Sequence, residues 1–126
     1  MKTTKLILVA IAMSVFAPQV SAASAVQVWQ CNAEEGKTQD DIMAVSKAWL
    51  DAAKTMEGGE ELEVYVGFPM AGTGDSFSWV MISKNLESWG KFMDGYDDSV
   101  AAKADVAFAE VASCPGSTLE ASYKVE

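Results

Sequence analysis

The segment "SCPGSTLEASYKVE", residues 113–126, decides the fold that we predict for this chain. Beyond Pro115-Gly116 the residues alternate between apolar and polar, which indicates a half-buried β-strand. Its apolar positions are Leu119, Ala121, Tyr123 and Val125. Cys114 stands just before this strand, and the sequence contains one other cysteine, Cys31, far upstream. The fold must either bring these two thiols together or leave both of them free.

Three further strands are predicted upstream of this segment, at residues 25–31, 62–68 and 77–83. The first two alternate between apolar and polar side chains, as a strand with one buried face does. The third, "FSWVMIS", is apolar at both parities. That pattern is typical of a central strand that is covered on both sides.

Three helices are predicted between the strands. Thr38, followed three residues later by Asp41, resembles a capping box at the start of a helix that ends before Gly58-Gly59. Asn85 caps a shorter second helix, and the alanine-rich residues 100–112 form a third. The apolar stripes of the three helices are Ile42, Val45, Trp49, Ala52 and Met56; Leu86, Trp89, Phe92, Met93 and Tyr96; and Val100, Ala104, Phe108 and Val111.

The element order βαββααβ predicts an α+β, ferredoxin-like fold with one added helix. Right-handed crossovers place the helices on one face of a four-stranded antiparallel sheet with the strand order 4-1-3-2. In that order the end of the first strand lies beside the start of the fourth, so Cys31 and Cys114 are predicted to form a disulfide. The alternative is a redox-active or nucleophilic thiol, but the sequence has neither a Cys-x-x-Cys spacing nor a histidine.

The face of the sheet that the helices leave uncovered has to meet solvent or a partner. By parity, we expect the helices to cover one side of the sheet, which carries Val26, Val28, Leu62, Val64, Val66, Phe68 and the apolar series from Leu119 to Val125. The uncovered face would then carry Trp29, Tyr65, Phe77, Trp79 and Met81. Such a patch is larger than a small soluble monomer normally exposes. We therefore predict that a second copy of the chain covers it, as a homodimer.

From Ala25 to Glu126 this element order resembles the dimeric α/β-barrel superfamily, whose ferredoxin-like units pair through their sheets. That superfamily includes antibiotic-biosynthesis-type monooxygenases, NIPSNAP-like proteins, stress-responsive barrel proteins and haem-binding relatives. The resemblance is one of topology, and it implies a dimeric barrel more strongly than any single activity. The chain departs from the superfamily in having no histidine to ligate haem and in its extra helix before Cys114. Ligation of haem by Met70 or Met81 stays open.

The N-terminal residues predict export. Lys2 and Lys5 precede an apolar run of a dozen residues and a small-residue stretch, the order of a secretory signal peptide. We place this signal peptide at residues 1–22 and a single ferredoxin-like domain at residues 23–126. The apolar run is too short to cross a bilayer as a helix. We therefore expect a periplasmic or secreted protein without membrane insertion after signal cleavage.

Charge and residue types exclude several classes of function. The chain has 18 acidic and 9 basic residues, and loss of Lys2 and Lys5 takes its net charge from −9 to −11. A strongly acidic surface repels phosphate backbones, so we predict no nucleic-acid partner. The carboxylates of Asp94, Asp97 and Asp98 lack the spacing of a calcium loop, and we predict no metal and no cofactor. We also predict no catalytic residue, because no histidine can activate a serine or cysteine.

Aromatic side chains are the remaining candidates for a site. We predict that a small hydrophobic or aromatic ligand binds against Trp29, Tyr65, Trp79, Trp89 and Phe92. The predicted function is an exported, non-enzymatic, homodimeric domain that binds such a ligand. The alternative, implied by the resemblance, is a cofactor-independent monooxygenase-like enzyme acting on a small aromatic substrate. Enzymes of that kind surround their substrate with tryptophan and asparagine side chains, for which this chain offers Asn32 and Asn85 beside its tryptophans.

Overall fold

The computed structural model describes residues 23–71 and 74–126. The predicted signal peptide at residues 1–22 lies outside the described residues. Along the described part of the chain the elements are β1 (Ser24–Ala33), α1 (Gln39–Ala53), β2 (Glu63–Gly67), β3 (Ser76–Ser83), α2 (Leu86–Asp94), α3 (Val100–Ala109), β4 (Ala112–Ser113) and β5 (Ser117–Ser122). None of the helices in these residues is both long and apolar enough to cross a bilayer.

The strands form one antiparallel sheet in the order β2-β3-β1-β4, with β5 also paired to β1. The α+β, ferredoxin-like prediction and its 4-1-3-2 order are therefore confirmed. The predicted fourth strand is β5. α3 ends at Ala109, earlier than predicted, and the following residues form the additional short strand β4, where the helix was predicted to continue to residue 112. β4 pairs with Asn32 and Ala33, and β5 pairs with Ser24–Trp29. Residues 123–126, predicted to continue this strand, lie beyond its end at Ser122.

The helix starts agree with the predicted caps. The amide of Thr38 donates to Asp41 over 2.8 Å, and the amide of Asp41 donates back to the Thr38 hydroxyl over 3.3 Å. Asn85 accepts a hydrogen bond from the amide of Ser88 at the start of α2. α1 ends at Ala53, earlier than predicted, and the chain then turns towards β2. In this turn Gly58 has a φ of +81° and lies directly against the backbone of α2.

The disulfide between Cys31 and Cys114 is present, as predicted. It joins the buried end of β1 to the link between β4 and β5. Because the last strand pairs with β1, the sheet brings Cys31 and Cys114 together although they lie far apart in the sequence. A redox-active thiol pair is not needed to explain their positions.

The prediction of which side of β1 and β3 faces the helices is wrong. Phe77, Trp79 and Met81 point towards the helices and are buried in the core. Trp79 pairs with Trp29 and Met81 pairs with Gln27, so Trp29 lies on the helix side as well. The uncovered face instead carries Val26, Val28, Val80 and Ile82, which are the alternate positions of the same two strands.

β2 has the predicted orientation, with Val64 and Val66 towards the core and Tyr65 on the uncovered face. β5 has the predicted parity, because Leu119 pairs with Gln27 on the helix side. It is nevertheless exposed at all six residues, where a half-buried strand was predicted. The helices pack over the other strands and do not extend over β5.

Candidate functional site

A cavity of about 530 Å³ lies between the helices and the covered face of the sheet. Its lining comes from all three helices and from β1, β3 and β4. The lining residues are Trp29, Glu34, Trp49, Trp79, Met81, Phe92, Met93, Tyr96, Asp105, Phe108, Ala109, Ala112, Ser113 and Cys114. The aromatic residues lie at its floor, whereas Glu34, Met93, Asp105 and Ser113 are exposed at its rim. The cavity is therefore open to solvent on one side.

Trp79 is the centre of the aromatic floor. Its ring lies edge to face with Trp49 at 5.0 Å, with Trp29 at 5.3 Å and with Phe108 at 5.9 Å between centroids. Trp49 packs in turn against Phe92 at 5.8 Å. Edge-to-face pairs of this kind place the positive edge of one ring against the negative face of another. The floor is a contiguous aromatic surface drawn from the sheet and all three helices.

The indole N–H groups of this floor are occupied by protein partners. Trp79 donates to the buried hydroxyl of Ser46 over 3.0 Å, and Trp49 donates to the hydroxyl of Tyr96 over 3.1 Å. Buried indoles normally have such a partner, because an unpaired N–H is costly in an apolar surrounding. The N–H groups of these two tryptophans are therefore not available to a molecule in the cavity.

Tyr96 and Asp105 form the polar side of the cavity. Partial burial raises the pKa of the Asp105 carboxyl above its usual value, and hydrogen bonding by the Tyr96 hydroxyl opposes part of that rise. Burial likewise raises the pKa of Tyr96; the bond from Trp49 opposes this rise, and the nearby Asp105 adds to it. Tyr96 thus accepts from the Trp49 indole and lies beside the Asp105 carboxyl at one side of the cavity.

Three of the five predicted ligand-binding residues, Trp29, Trp79 and Phe92, line this cavity. Trp89 packs against the core outside the lining and donates its N–H to Gln27 over 3.1 Å. Tyr65 lies on the opposite face of the sheet with 58% of its surface exposed. The structure therefore does not bring Tyr65 together with the other four.

The two asparagines suggested by the monooxygenase resemblance lie away from the cavity. The Asn32 side chain accepts a hydrogen bond from Ser76 on the uncovered face, and that of Asn85 caps α2. Of the two methionines left open as haem ligands, Met81 lines the cavity and Met70 is fully exposed elsewhere. Within residues 23–71 and 74–126 no three acidic or cysteine side chains group as metal ligands would.

The residues that sequence reasoning missed are Trp49, Tyr96, Phe108 and Asp105. The first three do appear in the predicted helix stripes, which was a usable signal that they face the sheet. Asp105 precedes Phe108 by three residues and therefore lies on the same side of α3. A carboxylate on the same helix face as a buried aromatic residue is therefore the sequence signal that could have indicated Asp105.

No family model matches the chain, and no curated protein matches it. Solved structures are similar in fold. SnoaB, a cofactor-independent oxygenase from Streptomyces nogalater, is 7% identical with a TM-score of 0.58, over 82% of this chain and 97% of that one. A putative antibiotic biosynthesis monooxygenase from Chloroflexus aurantiacus J-10-fl is 8% identical with a TM-score of 0.57, over the same shares. A dimeric ferredoxin-like protein of unknown function from Thermobifida fusca YX is 12% identical with a TM-score of 0.50, over 86% and 97%.

At these identities the similarity concerns the fold alone. It confirms the predicted ferredoxin-like architecture and the fold-level resemblance to monooxygenase-like barrels. What these proteins bind or convert does not transfer to this chain through shape.

Proposed function

We propose that this chain is an exported, homodimeric domain that binds a small aromatic or hydrophobic molecule in its cavity without converting it. The observation that carries the proposal is the cavity itself. Its volume of about 530 Å³ falls within the range of small-molecule sites, and its floor is aromatic with a few polar groups at one side. The open rim gives a ligand access from solvent.

Binding without chemistry accounts best for the hydrogen bonds of the site. Cofactor-independent oxygenation needs polar side chains that hold and deprotonate the substrate. Here the indole N–H groups of Trp49 and Trp79 already bond to Tyr96 and Ser46. Asn32 and Asn85 have partners elsewhere. The arrangement is therefore more suited to holding a molecule than to activating one.

A cofactor-independent oxygenase is the second candidate, and one observation favours it. Asp105, with its raised pKa beside Tyr96, is placed to accept a proton from a phenolic substrate at the rim of the cavity. The fold likeness to SnoaB is compatible with this role. The two candidates differ in one measurable respect, which is whether dissolved oxygen is consumed.

Export is supported by the disulfide. Such bonds form and persist mainly in oxidising compartments such as the periplasm and the extracellular space. The Cys31–Cys114 bond of this chain is therefore consistent with the signal peptide that the N-terminal sequence predicts.

Homodimer formation is supported by the uncovered face of the sheet. Val26, Val28, Val80 and Ile82 lie there side by side on the two central strands, each partly exposed in the single chain. A flat row of β-branched residues on a sheet is a surface that a second copy can bury face to face. The smaller side chains found there, in place of the predicted tryptophans, keep the face apolar.

Replacing Val80 with lysine is expected to convert the dimer into a monomer. Two copies related by a two-fold axis would bring two buried, unpaired ammonium groups into one interface. Light scattering at micromolar concentration should then report half the mass of the wild type. Val106→Lys is the matched control, since Val106 is 66% exposed on α3 and should leave the mass unchanged. A monomeric wild type would contradict the proposed dimer.

Filling the mouth of the cavity is expected to abolish ligand binding. Ala109 lines the cavity and is exposed, so Ala109→Trp should obstruct the site with little effect on the core. With the neutral probe N-phenyl-1-naphthylamine, whose emission rises in apolar sites, we expect at least about a tenfold loss of affinity. Ala107→Trp is the control, because Ala107 is exposed on the same helix outside the lining.

Equal loss in both variants, or no binding by the wild type, would contradict the proposed site. An oxygen electrode with 1-naphthol as the added phenol separates the two candidate functions. Oxygen uptake that wild type catalyses and Ala109→Trp lacks would favour the enzyme.

A further inference from the structure

We infer that the ligand of this cavity is an organic cation, an amine or quaternary ammonium group carried on an apolar or aromatic body. This inference rests on the proposed function and adds the charge of the ligand to it. Three features of the cavity support it: its charges, its hydrogen-bonding groups and its aromatic floor.

The charges of the cavity have one sign. Among the residues that the structure describes, the cavity is lined by two carboxylates, those of Glu34 and Asp105, and by no lysine. The chain contains no arginine and no histidine. The four ion pairs found within residues 23–71 and 74–126 are Lys47–Asp51, Lys84–Glu61, Lys91–Glu87 and Lys124–Glu126, and none of them includes Glu34 or Asp105. An anionic ligand would meet only repulsion here, whereas a cation would find two carboxylates.

The hydrogen-bonding groups of the cavity also favour a cation. The N–H groups of Trp49 and Trp79 are occupied by Tyr96 and Ser46. The side-chain polar atoms left to a ligand include the carboxylate oxygens of Glu34 and Asp105, which only accept hydrogen bonds, and the exposed hydroxyl of Ser113, which can accept as well as donate. An ammonium group supplies donors and no acceptor, which complements this set.

The aromatic floor adds a second attraction for positive charge. Faces of tryptophan, tyrosine and phenylalanine carry negative potential, and tryptophan is the strongest of the three. Of the rings that line the cavity, Trp29 and Tyr96 are partly exposed and available to a ligand, whereas Trp49, Trp79, Phe92 and Phe108 lie buried behind them. An aromatic ring face beside a carboxylate attracts an ammonium group by a cation–π interaction.

Asp105 lies where the charged rim of the cavity meets its aromatic floor. It stands at the rim, three residues before Phe108 on α3 and beside Tyr96. A ligand with its apolar body on the floor would hold its charged group at the level of this carboxylate. The net negative charge of the whole chain also raises the local concentration of cations at the opening.

Three probes of one shape and different charge test this inference. Phenyltrimethylammonium is the cation, tert-butylbenzene is its neutral isostere and benzenesulfonate is the anion. Each is titrated as a competitor of N-phenyl-1-naphthylamine in the wild-type protein at low salt. We expect the cation to bind at least about tenfold more tightly than the neutral isostere, and the anion to bind most weakly.

Asp105→Asn is expected to remove most of this preference, with the neutral isostere binding within about twofold of its wild-type affinity. The unchanged neutral affinity also shows that the variant is folded. Asp98→Asn is the matched control, because Asp98 lies outside the lining at a φ of +61°, a conformation that asparagine tolerates equally well. This control removes the same unit charge from the chain.

Equal binding of the cation and the neutral isostere by the wild type would overturn the inference and leave the proposed cavity in place. A preference that Asp105→Asn and Asp98→Asn weaken to the same extent would overturn it too, because the charge of the chain would then act without the cavity. If neither the naphthylamine nor any of the three probes binds, the proposed function itself fails.

Discussion

Breaking the Cys31–Cys114 bond is expected to lower the free energy of unfolding by about 4 to 5 kcal/mol in the chain-entropy model. The bond closes a loop between residues that are 83 positions apart. The cross-link lowers the conformational entropy of the unfolded chain, and the effect increases with the length of the loop. A domain of this size has a total stability of about 5 to 15 kcal/mol. The reduced protein should therefore be marginally folded or unfolded at physiological temperature.

Urea titrations of the oxidised protein and of protein reduced with a phosphine measure this difference. The variant Cys31→Ala/Cys114→Ala should resemble the reduced wild type and should not respond to the reductant. Alanine suits this test, because Cys31 is 1% exposed and a polar replacement would add a separate penalty. A loss below about 1 kcal/mol on reduction would contradict the loop-closure explanation.

Replacing Gly58 with alanine is expected to lower the free energy of unfolding by about 3 kcal/mol or more. Gly58 has a φ of +81°, which costs an L-residue about 1 to 2 kcal/mol. An added Cβ would also lie 2.6 Å from the amide nitrogen of Phe92 and against the carbonyl oxygen of Ser88. Both are backbone atoms of α2, so the helix itself would have to move.

Gly36→Ala separates the two costs. Gly36 has a nearly equal φ of +78°, but an added Cβ there would meet nothing within 4 Å. Chemical denaturation should therefore show only the backbone cost for Gly36→Ala and a clearly greater loss for Gly58→Ala. Equal losses of stability in the two variants would show that the close contact of Gly58 with α2 does not contribute to the effect of Gly58→Ala.

A shift of α2 would also be felt in the candidate site. Phe92 and Met93 belong to this helix, and both line the cavity. Gly58→Ala protein that remains folded is therefore expected to bind the neutral probe more weakly, whereas Gly36→Ala protein should bind it normally.

The element order, the helix caps and the disulfide could be predicted from the sequence because each depends on local signals. Thr38 and Asp41 form their capping box within one turn. The pairing of Cys31 with Cys114 follows from the order of the strands, which the local signals imply. β4 was not predicted, because Ala112 continues an alanine-rich pattern that favours a helix. The orientation of β2 was predictable, because only one of its parities is apolar.

Parity could not assign the face of β3, which is apolar on both sides, and it misled for β1, where Val26 and Val28 stand at one parity and Trp29 and Cys31 at the other. A further signal was available in Cys31, which shares its parity with Trp29. A paired cysteine is normally buried, so its face is the better candidate for the core. Had Cys31 been weighed in this way, Trp29 and Trp79 would have been placed beneath the helices.

The cavity itself could not be predicted, because it depends on how three helices pack over one sheet. Trp49 and Phe108 were predicted to face the sheet, but spacing does not tell whether a buried ring fills the core or borders a space. Tyr65 and Trp89 show the reverse case. Both have the residue type of a ligand site, and the packing places them elsewhere.

The contact of Trp79 with Trp29 and Trp49 also gives the protein an optical property. Indoles at centroid distances of 5.0 and 5.3 Å couple their electronic transitions, and the resulting circular-dichroism bands depend on the angles between the rings. These three chromophores line the cavity, whereas the fourth tryptophan, Trp89, lies outside its lining. The unlabelled protein thus carries its own spectroscopic reporter at the floor of the cavity.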